Sequence, residues 1–192
     1  MKQVLIINGH PDQESFNYAL SKAYIKGLRK TNAKISQINI AELKFNPNLQ
    51  YGYRKRMELE PDLVVAIEKI KKADHMVWVF PMWWCSYPAI MKGFVDRTFL
   101  PSMTYQPIEG KALPKKLLKG KSARLIITGD TPKWYDFFIR KSPVKHQFKY
   151  GTLKFCGINP VRITYIATIK NSSYGFREKW LHKVQLLGEK VK

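Results

Sequence analysis

The stretch HMVWVFPMWWCSYPAIMKGFVDRTF, residues 75–99, passes from an apolar block through an aromatic, proline-flanked loop into an amphipathic pattern. Residues 75–80 are apolar at nearly every position, which predicts a strand buried on both faces, as in a parallel sheet. Ser86 is expected to cap the helix that follows, with Pro88 in its first turn and Ile90, Met91, Phe94 and Val95 along its inner side. A plain connector would be built from Gly, Asn, Asp or Ser. The loop between strand and helix instead carries Trp83, Trp84, Cys85 and Tyr87. Such side chains can pack in a core or a dimer contact. They can equally form a surface on which a flat heteroaromatic ring is laid while the main chain bonds its polar edges.

Working outward, the same alternation repeats. QVLII, residues 3–7, is another apolar run, ended by Asn8-Gly9, and Ser15 to Lys30 has helical spacing at Leu20, Tyr24 and Leu28. KISQINI, 34–40, reads as a second strand, and 41–61 as a polar connection. Asp62 to Lys72 reads as a helix with Leu63, Ile67 and Ile70 on one face. ARLIITG, 123–129, and VRITYI, 161–166, complete five strands, and a basic amphipathic helix runs from Tyr174 to Val191. Strands alternating with helices predict an α/β protein with an open parallel sheet, helices on both faces, over a single domain spanning 1–192. Five strands suit the flavodoxin-like order 2-1-3-4-5, whose ligands bind where strand order reverses, outside the carboxyl ends of strands 1 and 3. That rule selects three loops, His10 to Asn17, Pro81 to Tyr87, and Thr128 to Tyr135.

Composition narrows the class. Of 192 residues, 45% are apolar and 13% aromatic, which suits a globular core and excludes intrinsic disorder. No run approaches the length of a membrane span, and the N-terminus reads as a first strand without a leader, so the cytoplasm is expected. Cys85 and Cys156 are far apart and form no metal or disulfide motif, so both are expected reduced. Lys and Arg outnumber Asp and Glu 34 to 14, giving +20. This attracts polyanions. The charge is dispersed, however, over 26–30, 54–56, 69–72, 115–121 and 190–192, and no nucleic-acid-binding motif accompanies it. No nucleic-acid partner is expected.

The three loops carry suitable chemistry. In NGHPDQESFN, the helix N-terminus offers backbone amides to a phosphate, with His10, Ser15 and Asn17 adding side-chain donors; an ordinary capped turn would look alike. The loop is neither G-x-G-x-x-G nor a Walker P-loop. In TGDTPKWY, Gly129 permits close backbone approach and Tyr135 adds an aromatic hydroxyl.

These residues carry a resemblance. A strand followed by GHPDQESFNYAL, then FNP at 45–47, ADHMVWVFPMWWCSYPAIMKGFVDRTF, LKGKSARLIITG and FCG at 155–157 together resemble the flavodoxin-like NAD(P)H:quinone oxidoreductases in their short bacterial form. The resemblance covers about residues 3–165. It implies a flavin whose phosphate lies on His10, Ser15, Phe16 and Asn17, and whose ring lies against Pro81, Met82, Trp83, Trp84, Thr128 and Gly129. Tyr135 would assist hydride transfer, and Tyr105 would line the quinone pocket. The activity implied is two-electron transfer from NAD(P)H to a quinone in ping-pong order, in a homodimer whose second subunit completes the pocket. The chain lacks the C-terminal extension of larger members, which favours FMN over FAD.

Two departures qualify the match. Asp130 stands where many members have a second glycine, and a carboxylate there would oppose charge on a reduced ring. The family's histidine beyond the tyrosine is also missing; Arg140 or Lys141 occupies that stretch. The rival reading is a flavin-binding ancillary protein of a membrane potassium efflux system, docked on an anionic membrane surface or a channel domain.

Overall fold

The computed structural model describes residues 1–191; Lys192, the end of the last basic run, lies outside the described residues. Among the described residues, seven strands form two sheets. The main one joins β1 (Gln3–Asn8), β2 (Lys34–Asn39), β3 (His75–Pro81), β6 (Ser122–Thr128) and β7 (Val161–Ile166) in the order β2-β1-β3-β6-β7. Counted within this sheet the order is 2-1-3-4-5, as expected, and every pairing is parallel. The two remaining strands, β4 (Tyr105–Gln106) and β5 (Lys115–Lys116), form a short antiparallel ribbon.

The near-continuous apolar runs are explained by burial on both faces. Leu5, Ile7, Trp78, Phe80, Leu125 and Ile127 point into one layer. Val4, Ile6, Val77, Val79 and Ile126, the alternate positions, point into the other. The first layer is filled by α2 (Pro61–Lys72), α3 (Ala89–Thr98) and the segment of Val144 to Ile158. The second holds α1 (Phe16–Leu28) and α6 (Tyr174–Lys190). These two helices cross closely: a Cβ on Gly188 would lie 2.2 Å from the Tyr24 carbonyl oxygen, and one on Gly27 would lie 2.0 Å from that of Gln185. Only glycine allows backbones to approach so far.

Two readings need correction. Ser86 does not cap α3. Its backbone groups are consumed by a turn with Trp83, and its hydroxyl donates to Gln147 Oε1 at 3.0 Å; the chain then runs extended to Pro88, which takes the cap position. The third loop is also not all loop. It contains α4 (Lys133–Phe138), followed by the one-turn α5 (Pro143–Lys145) and a π-helical segment, His146–Lys154. Among the described residues, no helix is long and apolar enough to cross a membrane.

Candidate active site

The carboxyl ends of β1, β3 and β6 place the three loops side by side. Gly9 N–H donates to the Val79 carbonyl at 2.9 Å and Met82 N–H to that of Thr128 at 2.7 Å, so inter-strand pairing continues into the loops. Asn8, fully buried at the end of β1, organises the first loop. Its Oδ1 accepts the His10 N–H at 2.9 Å, and its Nδ2 donates to Ser21 Oγ at 2.8 Å. The His10 Nδ1 accepts the Asp12 N–H at 3.0 Å, which puts the ring proton on Nε2. Burial lowers the His10 pKa, against the opposing influence of Asp12, so the neutral ring prevails at pH 7.

Ser15 occupies the N-cap of α1 yet makes no capping bond, and its Oγ is buried without a partner. Asn17 is 3% exposed; its Oδ1 accepts from Thr128 Oγ1 at 3.0 Å while its Nδ2 is left unpartnered. No acidic residue stands in the first turn. A buried polar group left unpaired costs roughly 1–3 kcal/mol. Two of them at the positive end of a helix dipole form a cradle suited to an anion.

In the second loop, Trp83 and Ser86 exchange both backbone hydrogen bonds, at 2.8 and 2.9 Å. Trp84 and Cys85 sit between them at φ +48 and +60. Tight two-residue turns of this hand normally use Asn-Gly, because a side chain there costs about 1–2 kcal/mol per residue. Strain of this kind concentrates at functional sites. The turn presents Trp83 edge-on to His10, ring centroids 5.4 Å apart, and leaves Trp84 fully exposed at its tip. Pro81 and Met82 lie beneath, buried.

In the third loop, Gly129 N–H donates to the Ile166 carbonyl, and a Cβ there would come 2.9 Å from the Tyr165 hydroxyl, so a side chain would have to displace that ring. Asp130 is tied down: its Oδ1 accepts the Lys170 N–H at 2.6 Å. Tyr135, on α4, is partly exposed, with the Arg140 guanidinium 5.5 Å over its ring and Arg140 Nη1 donating to Thr131 Oγ1 at 2.9 Å. Arg140 rather than Lys141 thus takes the place beside the tyrosine. Asp136 fastens α4 to the chain. Fully buried, it accepts from Lys145 Nζ and Ser142 Oγ, both at 2.8 Å.

Tyr105 lies on the short ribbon, at the start of β4. It pairs with Lys116 and packs edge-on against Phe155 at 5.1 Å, with Tyr53 and Cys156 beside it. None of these belongs to the three loops. Burial raises the hydroxyl pKa of Tyr105 and the thiol pKa of Cys156. A separate cavity of about 200 Å³ opens near Tyr53, Arg97 and Pro101. Sequence reasoning missed Arg177, which lies 5.7 Å over the Phe16 ring and is fixed by Ser172 Oγ and the Ile169 carbonyl. One arginine in a lysine-rich helix gives no signal of its own.

The chain matches, over residues 2–183, a family whose description is flavodoxin-like fold. It is 30% identical over 184 residues to the ribosyldihydronicotinamide dehydrogenase [quinone] of Mus musculus, covering 81% of this chain and 77% of that one. With the NAD(P)H dehydrogenase [quinone] 1 of Cavia porcellus it shares 28% over 195 residues, 86% of this chain and 69% of the other. The crystal structure of Smu.1420 from Streptococcus mutans UA159 superposes with a TM-score of 0.84 at 30% identity, covering 98% and 99% of the two chains.

Proposed function

The chain belongs to the family of flavodoxin-like fold, and from that premise we propose that it is a flavin-dependent NAD(P)H dehydrogenase acting on quinones. The observation that carries this reading is the pair of unpartnered donors, Ser15 Oγ and Asn17 Nδ2, at the N-terminus of α1, beside His10 and Trp83. A flavin phosphate would take both, together with the free backbone N–H groups of the first turn at Phe16 and Asn17. One such cradle suits a single phosphate, which favours FMN over FAD. Pro81, Met82, Trp83 and Trp84 on one loop, with Thr128 and Gly129 on the next, would hold the ring system.

Bound there, a flavin would supply the redox chemistry for moving two electrons from NAD(P)H to a quinone. The chain's own part is to position and to neutralise. Tyr135 offers a hydroxyl at the edge of the slot, able to donate or accept a proton at Oη, and Arg140 supplies positive charge over its ring. His10, neutral and protonated on Nε2, donates without adding charge. Nicotinamide and quinone would take the same place against the ring in turn, the ping-pong order. The Lys170 N–H holds Asp130, which keeps that carboxylate from setting the local charge alone. The positive net charge draws in the anionic nicotinamide dinucleotide. Tyr105, packed edge-on against Phe155, would serve the site of a second copy in a homodimer.

The test is the visible spectrum of the purified protein before and after adding FMN or FAD. A flavin spectrum that bleaches with NADH or NADPH and returns with a water-soluble quinone is the expected result. A protein that neither retains nor binds either flavin would refute the reading.

A further inference from the structure

The helix α4 is only 6 residues long, far short of the length at which a helix is stable alone. A surface helix is ordinarily pinned by its apolar face. Here Trp134, Phe137 and Phe138 are 61%, 62% and 65% exposed, and no side chain of α4 joins either core layer. The one buried residue is Asp136. Within the chain, α4 is therefore held by a carboxylate. Its Oδ2 accepts from Lys145 Nζ and Ser142 Oγ, both at 2.8 Å, and Lys145 Nζ also donates to Ser142 Oγ at 2.9 Å. The Ser142 N–H closes the turn on the Asp136 carbonyl at 2.7 Å. The other links, Lys133 over the Trp180 ring and Arg140 on Thr131 Oγ1, lie at the surface, where water competes.

The same lysine reaches the other end of the loop. Its Nζ lies 5.2 Å over the Tyr165 ring, whose hydroxyl donates to the Thr131 carbonyl at 2.8 Å and lies 2.9 Å from where a Cβ on Gly129 would stand. Gly129 and Thr131 precede α4 and Lys145 follows it, so one cation braces the third loop from both sides. The latch is not built for greatest stability. Asp136 Oδ1 is buried without a partner, and Lys141 and Ser142, neither a glycine, sit at φ +58 and +49. A buried ion pair adds little net stability over an apolar pair of the same size. Strain and unmet bonds persist where one particular geometry is required.

We propose that Asp136, Lys145 and Ser142 are positioning residues whose buried latch sets Tyr135 and Arg140 at the mouth of the slot. Tyr135 immediately precedes Asp136, and the Ile139 and Arg140 N–H groups both donate to the Tyr135 carbonyl, at 3.0 and 3.1 Å, so a displaced Asp136 carries both side chains with it. The latch stands on this geometry alone. Its effect on turnover rests on the oxidoreductase reading.

The experiment compares the parent with an Asp136→Ala/Lys145→Ala variant, which removes the latch without stranding a buried charge. Hydrogen exchange is read on the full chain without flavin. The Ile139 and Arg140 amides should exchange about tenfold faster or more, while those of Leu125 and Ile126 in β6 keep their protection. With FMN loaded, kcat for a water-soluble quinone should fall about tenfold or more. Adding Tyr135→Phe should then lower it by no more than about twofold, because the hydroxyl is already out of place. If the β6 amides also open, Asp136→Asn, which keeps the shape and loses the ion pair, is read in the same way. Parent-like exchange at Ile139 and Arg140 would overturn the proposal and give the hold on α4 to another contact, a second copy included. So would fast exchange with parent-like turnover, or full losses that multiply in the triple variant. A Tyr135→Phe variant that turns over like the parent would instead refute the part given to Tyr135 in the oxidoreductase reading, and the exchange result would still decide the latch.

Discussion

Replacing Ser15 by Ala should move stability and ligand affinity in opposite directions. In an ordinary N-cap this change costs about 0.5–2 kcal/mol, because the serine oxygen satisfies a first-turn N–H. Here no such bond exists, and the Oγ is buried without a partner. Alanine keeps the Cβ and deletes an unsatisfied hydroxyl, so the ligand-free protein should be unchanged or stabilised by up to about 1 kcal/mol. For a chain of this size that corresponds to a Tm rise of up to roughly 2–4 °C. A hydrogen bond to a charged phosphate is worth about 1.5–3 kcal/mol, so the FMN dissociation constant should rise about 10- to 150-fold. Riboflavin, which has no phosphate, provides the internal control: its affinity should be the same in variant and parent. Flavin-fluorescence titrations with both ligands, alongside thermal unfolding without ligand, read all three quantities. A variant that loses stability, or one that weakens FMN and riboflavin equally, would refute the assignment and make Ser15 a plain cap.

Other perturbations probe the rest of the molecule. Gly188→Ala would bring a Cβ to 2.2 Å from the Tyr24 carbonyl oxygen and force α1 from α6; overpacking of about 3 kcal/mol against about 1 kcal/mol gained in helix propensity leaves a net loss near 2 kcal/mol, measurable by urea unfolding. His75 is buried at the start of β3, its Nδ1 2.8 Å from Ser122 Oγ, and burial, with Lys2, Arg124 and Arg162 nearby, lowers its pKa from 6.5 to about 4. The folded state resists protonating it, so its contribution is complete above pH 6.5 and is lost as pH falls through 4, about 3 kcal/mol in all; His75→Leu should flatten that limb of the stability profile. Tyr135→Phe should retain flavin but lower turnover about tenfold or more, and unchanged turnover would remove the hydroxyl from the mechanism.

The sheet was legible because β1, β3 and β6 are apolar on both faces, and only parallel strands between two helical layers need that. The switch-point rule then located the three loops without further information. Their internal structure was less visible. Ser86 looked like a cap because Ser before Pro usually is one, but the turn closed by Trp83 took its backbone groups. The helix α4 escaped because periodicity assumes that apolar residues face inward, and here the inward residue is Asp136. Tyr105 carries no mark in the sequence that it packs on Phe155.

The crossing of Gly27 with Gly188 links positions near opposite ends of the chain. During synthesis, α1 emerges early, and the surface that clamps it follows all three loops. Until α6 has left the ribosome, α1 can lean on Val4, Ile6, Val77 and Val79 of the sheet but lacks the helix that packs along its other side. A polypeptide truncated before residue 174 would hold every residue of the three loops but lack the α6 face that packs on α1. The helix end that carries Ser15 and Asn17 would then reach its final position only once α6 has docked on α1.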